Sequence, residues 1–130
     1  MLAAVAAGGM LGASARYGLA RALPARPGTV PWGTLASNLA GSFLLGLLLA
    51  LVLERFPPTR YLRPFLATGV LGALTTMSTF QVEVALLVDG GHAGTALAYG
   101  LGSLAVGLLL ARAGLVAGRL VPPRHREAPR

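Results

Sequence analysis

Residues 33–53 run without a single charged side chain. At about 1.5 Å per residue, a helix of that length crosses the ~30 Å hydrocarbon core of a bilayer. Lipid offers no partner to a backbone amide or carbonyl, so such a segment is expected to pair its own peptide groups as a helix. The whole chain fits this solvent: 55% of its 130 residues are hydrophobic, only 12% are charged, and the mean hydropathy is +0.69. Three further stretches reach spanning length. They are residues 2–20, interrupted by Arg16, residues 64–88, holding only Glu83, and residues 93–120, with Arg112 and Arg119 towards the far end. The expected fold is therefore an all-α membrane protein with four transmembrane helices per chain. These form a single domain over residues 1–121, followed by a polar C-terminal tail over residues 122–130.

The connections agree with that division. Residues 21–32 contain Pro24, Pro27 and Pro31, which cannot continue a helix. "ERFPPTRYLR" at residues 54–63 is a charged double-proline turn, with Phe56 and Tyr61 suited to the headgroup region. "DGGH" at residues 89–92 makes a tight third loop, and "PPRHREAPR" is a polar, proline-rich tail. "ASA" at residues 13–15 has the form of a signal-peptide cleavage site, but the basic region that should precede the apolar run is missing, and Arg16 follows at once.

The net charge of +7 comes from arginine alone, with no lysine. A nucleic-acid binder would carry it as a basic face on a soluble scaffold. Here the arginines stand at helix ends and in loops, which favours an anionic membrane surface over nucleic acid. With four helices, Arg55, Arg60, Arg63, Arg119, Arg124, Arg126 and Arg130 fall on one side, against Arg16, Arg21 and Arg26 on or near the other. That bias favours cytoplasmic termini, yet without Arg119 and the tail it is three against three. No enzyme constellation emerges. Glu54, Glu83, Asp89 and Glu127 are scattered, His92 and His125 lack ligand partners at metal spacing, and the absence of cysteine excludes thiolate chemistry. Gly8 with Gly12, Gly114 with Gly118, and Ser103 with Gly107 have the small-xxx-small spacing that lets membrane helices approach closely.

Polar groups at membrane depth call for another explanation. Asn38 has Ser42 one turn later and Ser37 beside it, and Tyr99 and Ser103 share a face of the fourth helix. Singly, each would serve as interhelical hydrogen-bonding glue; together they form a polar track. In "GVLGALTTMSTF", Gly69 and Gly72 weaken the third helix, while Thr75, Thr76, Ser78 and Thr79 offer hydroxyls that compete with its backbone bonds. The expectation is a break over residues 72–76, the alternative being a kinked but continuous helix with its hydroxyls bonded back to the preceding turn. Interrupted helices leave peptide groups that protein, water or an ion must satisfy, so such breaks mark ion sites.

Three of these stretches together resemble a known family. "GGMLGASARY" at residues 8–17, "PWGTLASNLAGSFLLG" at residues 31–46 and "GVLGALTTMSTFQVE" at residues 69–83 are similar to the signatures of the CrcB/Fluc fluoride channels. The fourth helix aligns through Tyr99 and Ser103. The resemblance implies a passive fluoride-selective channel, not an enzyme, that exports toxic fluoride across a prokaryotic inner membrane as a multi-pass protein. It also implies an antiparallel, dual-topology homodimer in membrane lipid with two pores. A structural sodium ion at the dimer centre would sit on carbonyls of the broken third helix, here Gly72 and Thr75.

The resemblance further assigns a fluoride pathway to Asn38, Met77, Ser78, Thr79, Phe80, Tyr99 and Ser103, a vestibule charge to Arg16, and a pore-end acid to Glu83, for which a partner to an arginine or a hydroxyl is the alternative role. Amide and hydroxyl hydrogens can replace water around a small anion, and the positive edge of an aromatic ring can face one. One position departs from the pattern: Met77 stands where the family usually has a second phenylalanine, and its thioether is polarizable without a positive ring edge. Two rival readings are weaker. A small drug/proton antiporter needs an acid deep in its first helix, which this chain lacks. A non-transporting assembly subunit accounts for the glycines but not for the polar track.

Overall fold

The computed structural model describes residues 1–55 and 60–122, so Phe56 and the tail's Arg124, His125, Arg126, Glu127 and Arg130 lie outside the described residues. All regular structure among the described residues is helical. Helix α1 covers Leu2–Ala22 and stops ahead of Pro24. The next turn closes where Thr29 donates to the Arg26 carbonyl from its backbone N (3.1 Å) and from Oγ1 (2.9 Å), with Gly28 at φ 76°. Pro31 then leads into α2, Trp32–Leu49, which continues in wider turns over Ala50–Arg55.

The third span is two helices. Its first part, α3, starts at Pro64, where a missing N–H costs nothing, and runs in wide turns over Pro64–Leu71 before an ordinary turn, Gly72–Leu74. Thr75 (φ −84°, ψ 153°) and Thr76 (φ −148°, ψ 121°) are extended, and α4, Met77–Asp89, follows. Gly90 and Gly91 make the turn into α5, Ala93–Arg119; Gly91 takes φ 79° and the His92 amide donates to the Leu87 carbonyl at 2.8 Å.

The break falls at the two threonines, and neither glycine causes it. The helix runs through both Gly69 and Gly72. Gly69 is buried against α1, where a Cβ would lie 2.7 Å from the Val5 carbonyl oxygen and 2.9 Å from Gly8 Cα. Gly8 and Gly12 face back in kind, onto the carbonyl oxygens of Phe65 and Val70. Small residues thus let the α1 and α3 backbones touch, which in lipid replaces hydrophobic burial as the source of helix adhesion. The same device joins α2 to α5: a Cβ on Gly46 would strike the Ala111 carbonyl, and one on Gly114 the Phe43 carbonyl. Of the small-residue pairs read from the sequence, Gly8 with Gly12 and Gly114 with Gly118 are close packing contacts.

Three helical stretches, Trp32–Val52, Pro64–Asp89 and Ala93–Arg119, are long and apolar enough to cross a membrane. Four were expected. At 21 residues, α1 matches them in length, but its alanines and glycines, with Arg16 and Arg21, dilute its apolarity. The outward faces fit a hydrocarbon solvent: Leu97, Leu101, Leu104 and Leu108 succeed one another along one side of α5, each more than half exposed.

Candidate functional site

The site is organised by the break. An unbroken helix would send the Thr76 amide to the Gly72 carbonyl and the Thr79 amide to that of Thr75. Instead Thr76 N donates to Asn38 Oδ1 at 2.8 Å, and Thr79 N donates to Thr76 Oγ1 at 3.3 Å, capping α4. The Asn38 Nδ2 in turn donates to the Thr76 carbonyl at 3.1 Å. One carboxamide on α2 therefore substitutes for a strand neighbour, satisfying both peptide groups of Thr76. The Gly72 and Thr75 carbonyls lose the donors a continuous helix would give them. Such oxygens are hard ligands of the kind that hold small alkali cations.

Hydroxyls cluster around the same point. Thr76 Oγ1 donates to Thr79 Oγ1 at 3.0 Å and lies 3.4 Å from Ser78 Oγ. Ser42 Oγ donates to the Asn38 carbonyl at 2.9 Å, and Ser103 Oγ to the Tyr99 carbonyl at 2.5 Å. Each is a bond to the preceding turn, the usual way a membrane helix hides a hydroxyl. Asn38, Ser42, Gly72, Thr75, Thr76, Met77, Phe80 and Ser103 all line one groove of about 410 Å³. Of the expected pathway residues, Asn38, Met77, Phe80 and Ser103 are thus brought together with the candidate cation ligands. Arg16, on α1, is not part of that lining.

A second polar centre lies further along α4. Glu83 accepts from Thr34 Oγ1 at 2.7 Å on one carboxylate oxygen and from the Tyr99 hydroxyl at 2.8 Å on the other. Three helices, α2, α4 and α5, meet at this carboxylate. The Phe80 and Tyr99 rings, with centroids 5.1 Å apart and planes tilted by 60°, connect it to the groove. Glu83 has hydroxyl partners, the alternative to a pore-end acid that the sequence left open. Thr34 escaped the sequence reading of the site, and Thr76 was read there only as one of the hydroxyls of the break. Thr34, Asn38 and Ser42 recur every four residues, so one face of α2 announced the first of them. The second had the form of a helix cap, with Thr79 three residues on.

Residues 3–115, nearly all of the helical domain, match the family described as CrcB-like protein, Camphor Resistance (CrcB). The chain belongs to the CrcB family. Among CrcB relatives it is 50% identical over 125 residues to "Fluoride-specific ion channel FluC 3" of Streptomyces avermitilis, covering 96% of this chain and 61% of that protein. It is 45% identical over 124 residues to "Fluoride-specific ion channel FluC 1" of Mycobacterium bovis, covering 95% and 94% of the two chains. To "Fluoride-specific ion channel FluC" of Rhodospirillum centenum it is 47% identical over 119 residues, 91% of each. The chain thus spans less than two thirds of the Streptomyces relative and nearly all of the other two. The CrcB match takes in every element that builds the break and the Glu83 centre.

Proposed function

We propose that the chain is a passive fluoride channel, and that it exports fluoride across the inner membrane of a prokaryote. The observation that carries this reading is the helix break sealed by Asn38, beside a groove lined by hydroxyls and by Phe80. A small anion loses its hydration shell only where fixed N–H and O–H donors replace it, and a row of such donors between helices supplies them. Membership of a family whose relatives are named as fluoride-specific channels supports the choice of ion.

In this reading α1 is the fourth crossing. Its 21 residues reach about 31 Å at the helical rise, and its glycines hold it alongside α3. The working unit is an antiparallel homodimer with two pores. The groove of one chain is open on the side where Met77 is exposed, and a second copy would close it against lipid. Structural sodium would rest on the Gly72 and Thr75 carbonyls of both copies, and what favours it is that the break leaves those oxygens without their helical donors. When bound, the ion would neutralise carbonyl dipoles at the dimer centre. The chain's own part is to hold them there through the Asn38 clamp.

Efflux from loaded liposomes, read with a fluoride electrode and a chloride electrode as control, tests the proposal. Fluoride should leave down its gradient while chloride stays, with or without a sodium gradient. Equal fluxes of the two anions, or uphill fluoride movement strictly dependent on sodium, would overturn it.

A further inference from the structure

A cavity of about 350 Å³ lies between the end of α1 and the start of α2, lined by Ala22, Leu23, Pro24, Arg26, Thr29 and Trp32. Its depth follows from Trp32, the first residue of the span Trp32–Val52. An indole at the end of a span sits at headgroup level, and this one is 59% exposed. The turn around the cavity is fixed in advance: Pro24, Pro27 and Pro31 restrict it, and Thr29 gives both its amide hydrogen (3.1 Å) and its hydroxyl hydrogen (2.9 Å) to the Arg26 carbonyl.

Arg26 is the one charged residue in that lining. Arg16, Arg21 and Arg26 all precede α2, whereas the first acid of the chain, Glu54, lies beyond its far end. Glu83 lines a neighbouring cavity with its two oxygens taken by the Thr34 and Tyr99 hydroxyls, and Asp89 ends α4; neither lines this one. Among the described residues, neither Arg21 nor Arg26 enters an ion pair. A guanidinium forks onto phosphate oxygens, and an indole N–H adds a further donor. Ala22, Leu23 and Pro24 supply the apolar surface that glycerol and the first acyl carbons need. A zwitterionic lipid brings its own cation beside its phosphate, but an anionic lipid does not, so an arginine without a carboxylate partner favours the second.

We propose that Arg26 and Trp32 hold the phosphate of an anionic phospholipid in the cavity at the α1–α2 turn. Such a site is independent of which ion the chain carries. Its effect is to tie the turn, and with it the entry of α2, to the surface of the leaflet.

Trp32 is the single tryptophan of the chain and lines the cavity, so its fluorescence reports on the lipid there. The full chain is reconstituted in vesicles of phosphatidylglycerol and phosphatidylcholine in equal parts, with bromine, a contact quencher, on the acyl chains of one lipid and then of the other. Brominated phosphatidylglycerol should quench more strongly, corresponding to an enrichment of about two- to fivefold at Trp32. Arg26→Gln should bring the two lipids close to parity with the emission maximum unchanged, and Arg26→Lys should keep most of the enrichment. Arg21→Gln should also keep most of it, because the Arg21 guanidinium lies over the Tyr17 ring, 6.0 Å from its centroid, and outside the lining. Equal quenching by the two lipids in the wild type, a comparison that needs no variant, would overturn the inference, as would an enrichment that survives Arg26→Gln. An equal loss in Arg21→Gln would overturn it in favour of diffuse surface charge. Displacement of phosphatidylglycerol by inorganic phosphate, beyond the effect of chloride at matched ionic strength, would overturn it in favour of a site for free anions.

Discussion

Asn38 holds the peptide group on each side of Thr76: its Oδ1 accepts from the Thr76 amide at 2.8 Å, and its Nδ2 donates to the Thr76 carbonyl at 3.1 Å. A single carboxamide is the smallest side chain able to do both at once, because it carries an acceptor and a donor on neighbouring atoms. Asn38→Ala should leave two backbone groups unpaired at membrane depth, a cost of about 1–3 kcal/mol for each. Asn38→Asp, matched in shape, should be nearly as harmful, since it offers an acceptor to the Thr76 carbonyl. Thermal melting in detergent should show both variants well below the wild type, with fluoride efflux lost. Wild-type stability in Asn38→Ala would mean that water satisfies the Thr76 peptide groups in its place.

That pair also marks how far the sequence could be read. The helices were legible because apolar length and proline spacing are local properties, and the observed bounds of α1 and α5 lie within two residues of those expected. The break was legible as a composition of hydroxyls, and the extended Thr75 and Thr76 fall within the expected residues 72–76, but its cause was not legible. Gly69 and Gly72 looked like the weak points, whereas the chain turns extended at Thr75 and Thr76, because a residue 38 positions earlier supplies the missing bonds. Gly69 serves instead to admit Gly8 of α1. Helix-breaking propensity and close-packing capacity are the same property of glycine, the lack of a Cβ, and only the tertiary neighbour decides which is used.

Glu83 joins three helices through two donors, and that arrangement sets the second prediction. Thr34→Val and Tyr99→Phe each remove one donor from a partly buried carboxylate. Each should lower stability by about 1–3 kcal/mol and slow fluoride efflux. Because both act on one group, the double variant should depart from the sum of the singles by about 0.5–3 kcal/mol. Strict additivity in melting experiments would show that the two hydroxyls stabilise the protein by independent contacts.

The glycines of α5 differ in what surrounds them, which permits a comparison within one helix. Gly114→Ala would drive a methyl group into the Phe43 carbonyl and to within 2.9 Å of the Leu47 amide nitrogen. Parting α2 from α5 to admit it should cost about 1–3 kcal/mol. Gly94→Ala meets nothing within 4 Å and should stabilise the helix by up to about 1 kcal/mol. Melting temperatures that move in opposite directions would confirm that backbone contact joins α2 to α5; a neutral Gly114→Ala would refute it.

Met77 and Phe80 stand three residues apart and line the same groove, Met77 with 61% of its surface exposed and Phe80 packed on Tyr99. Their environments imply unequal demands. The Phe80 ring is held in a tilted aromatic pair, which fixes the direction of its edge, whereas Met77 is free to present any part of a flexible, polarizable chain. If an anion passing the groove needs a fixed positive edge at both positions, this chain should not conduct as a homodimer; if apolar, polarizable bulk suffices at the first, it should. The retained Phe80 and the Asn38 clamp favour the second case. Phe80→Ile, which keeps apolar bulk but removes the ring, should therefore abolish or greatly slow fluoride efflux in protein that still folds, while Met77→Phe should preserve it. A wild-type chain that is silent until Met77→Phe is introduced would reverse the assignment and show that this groove needs a second ring from another subunit.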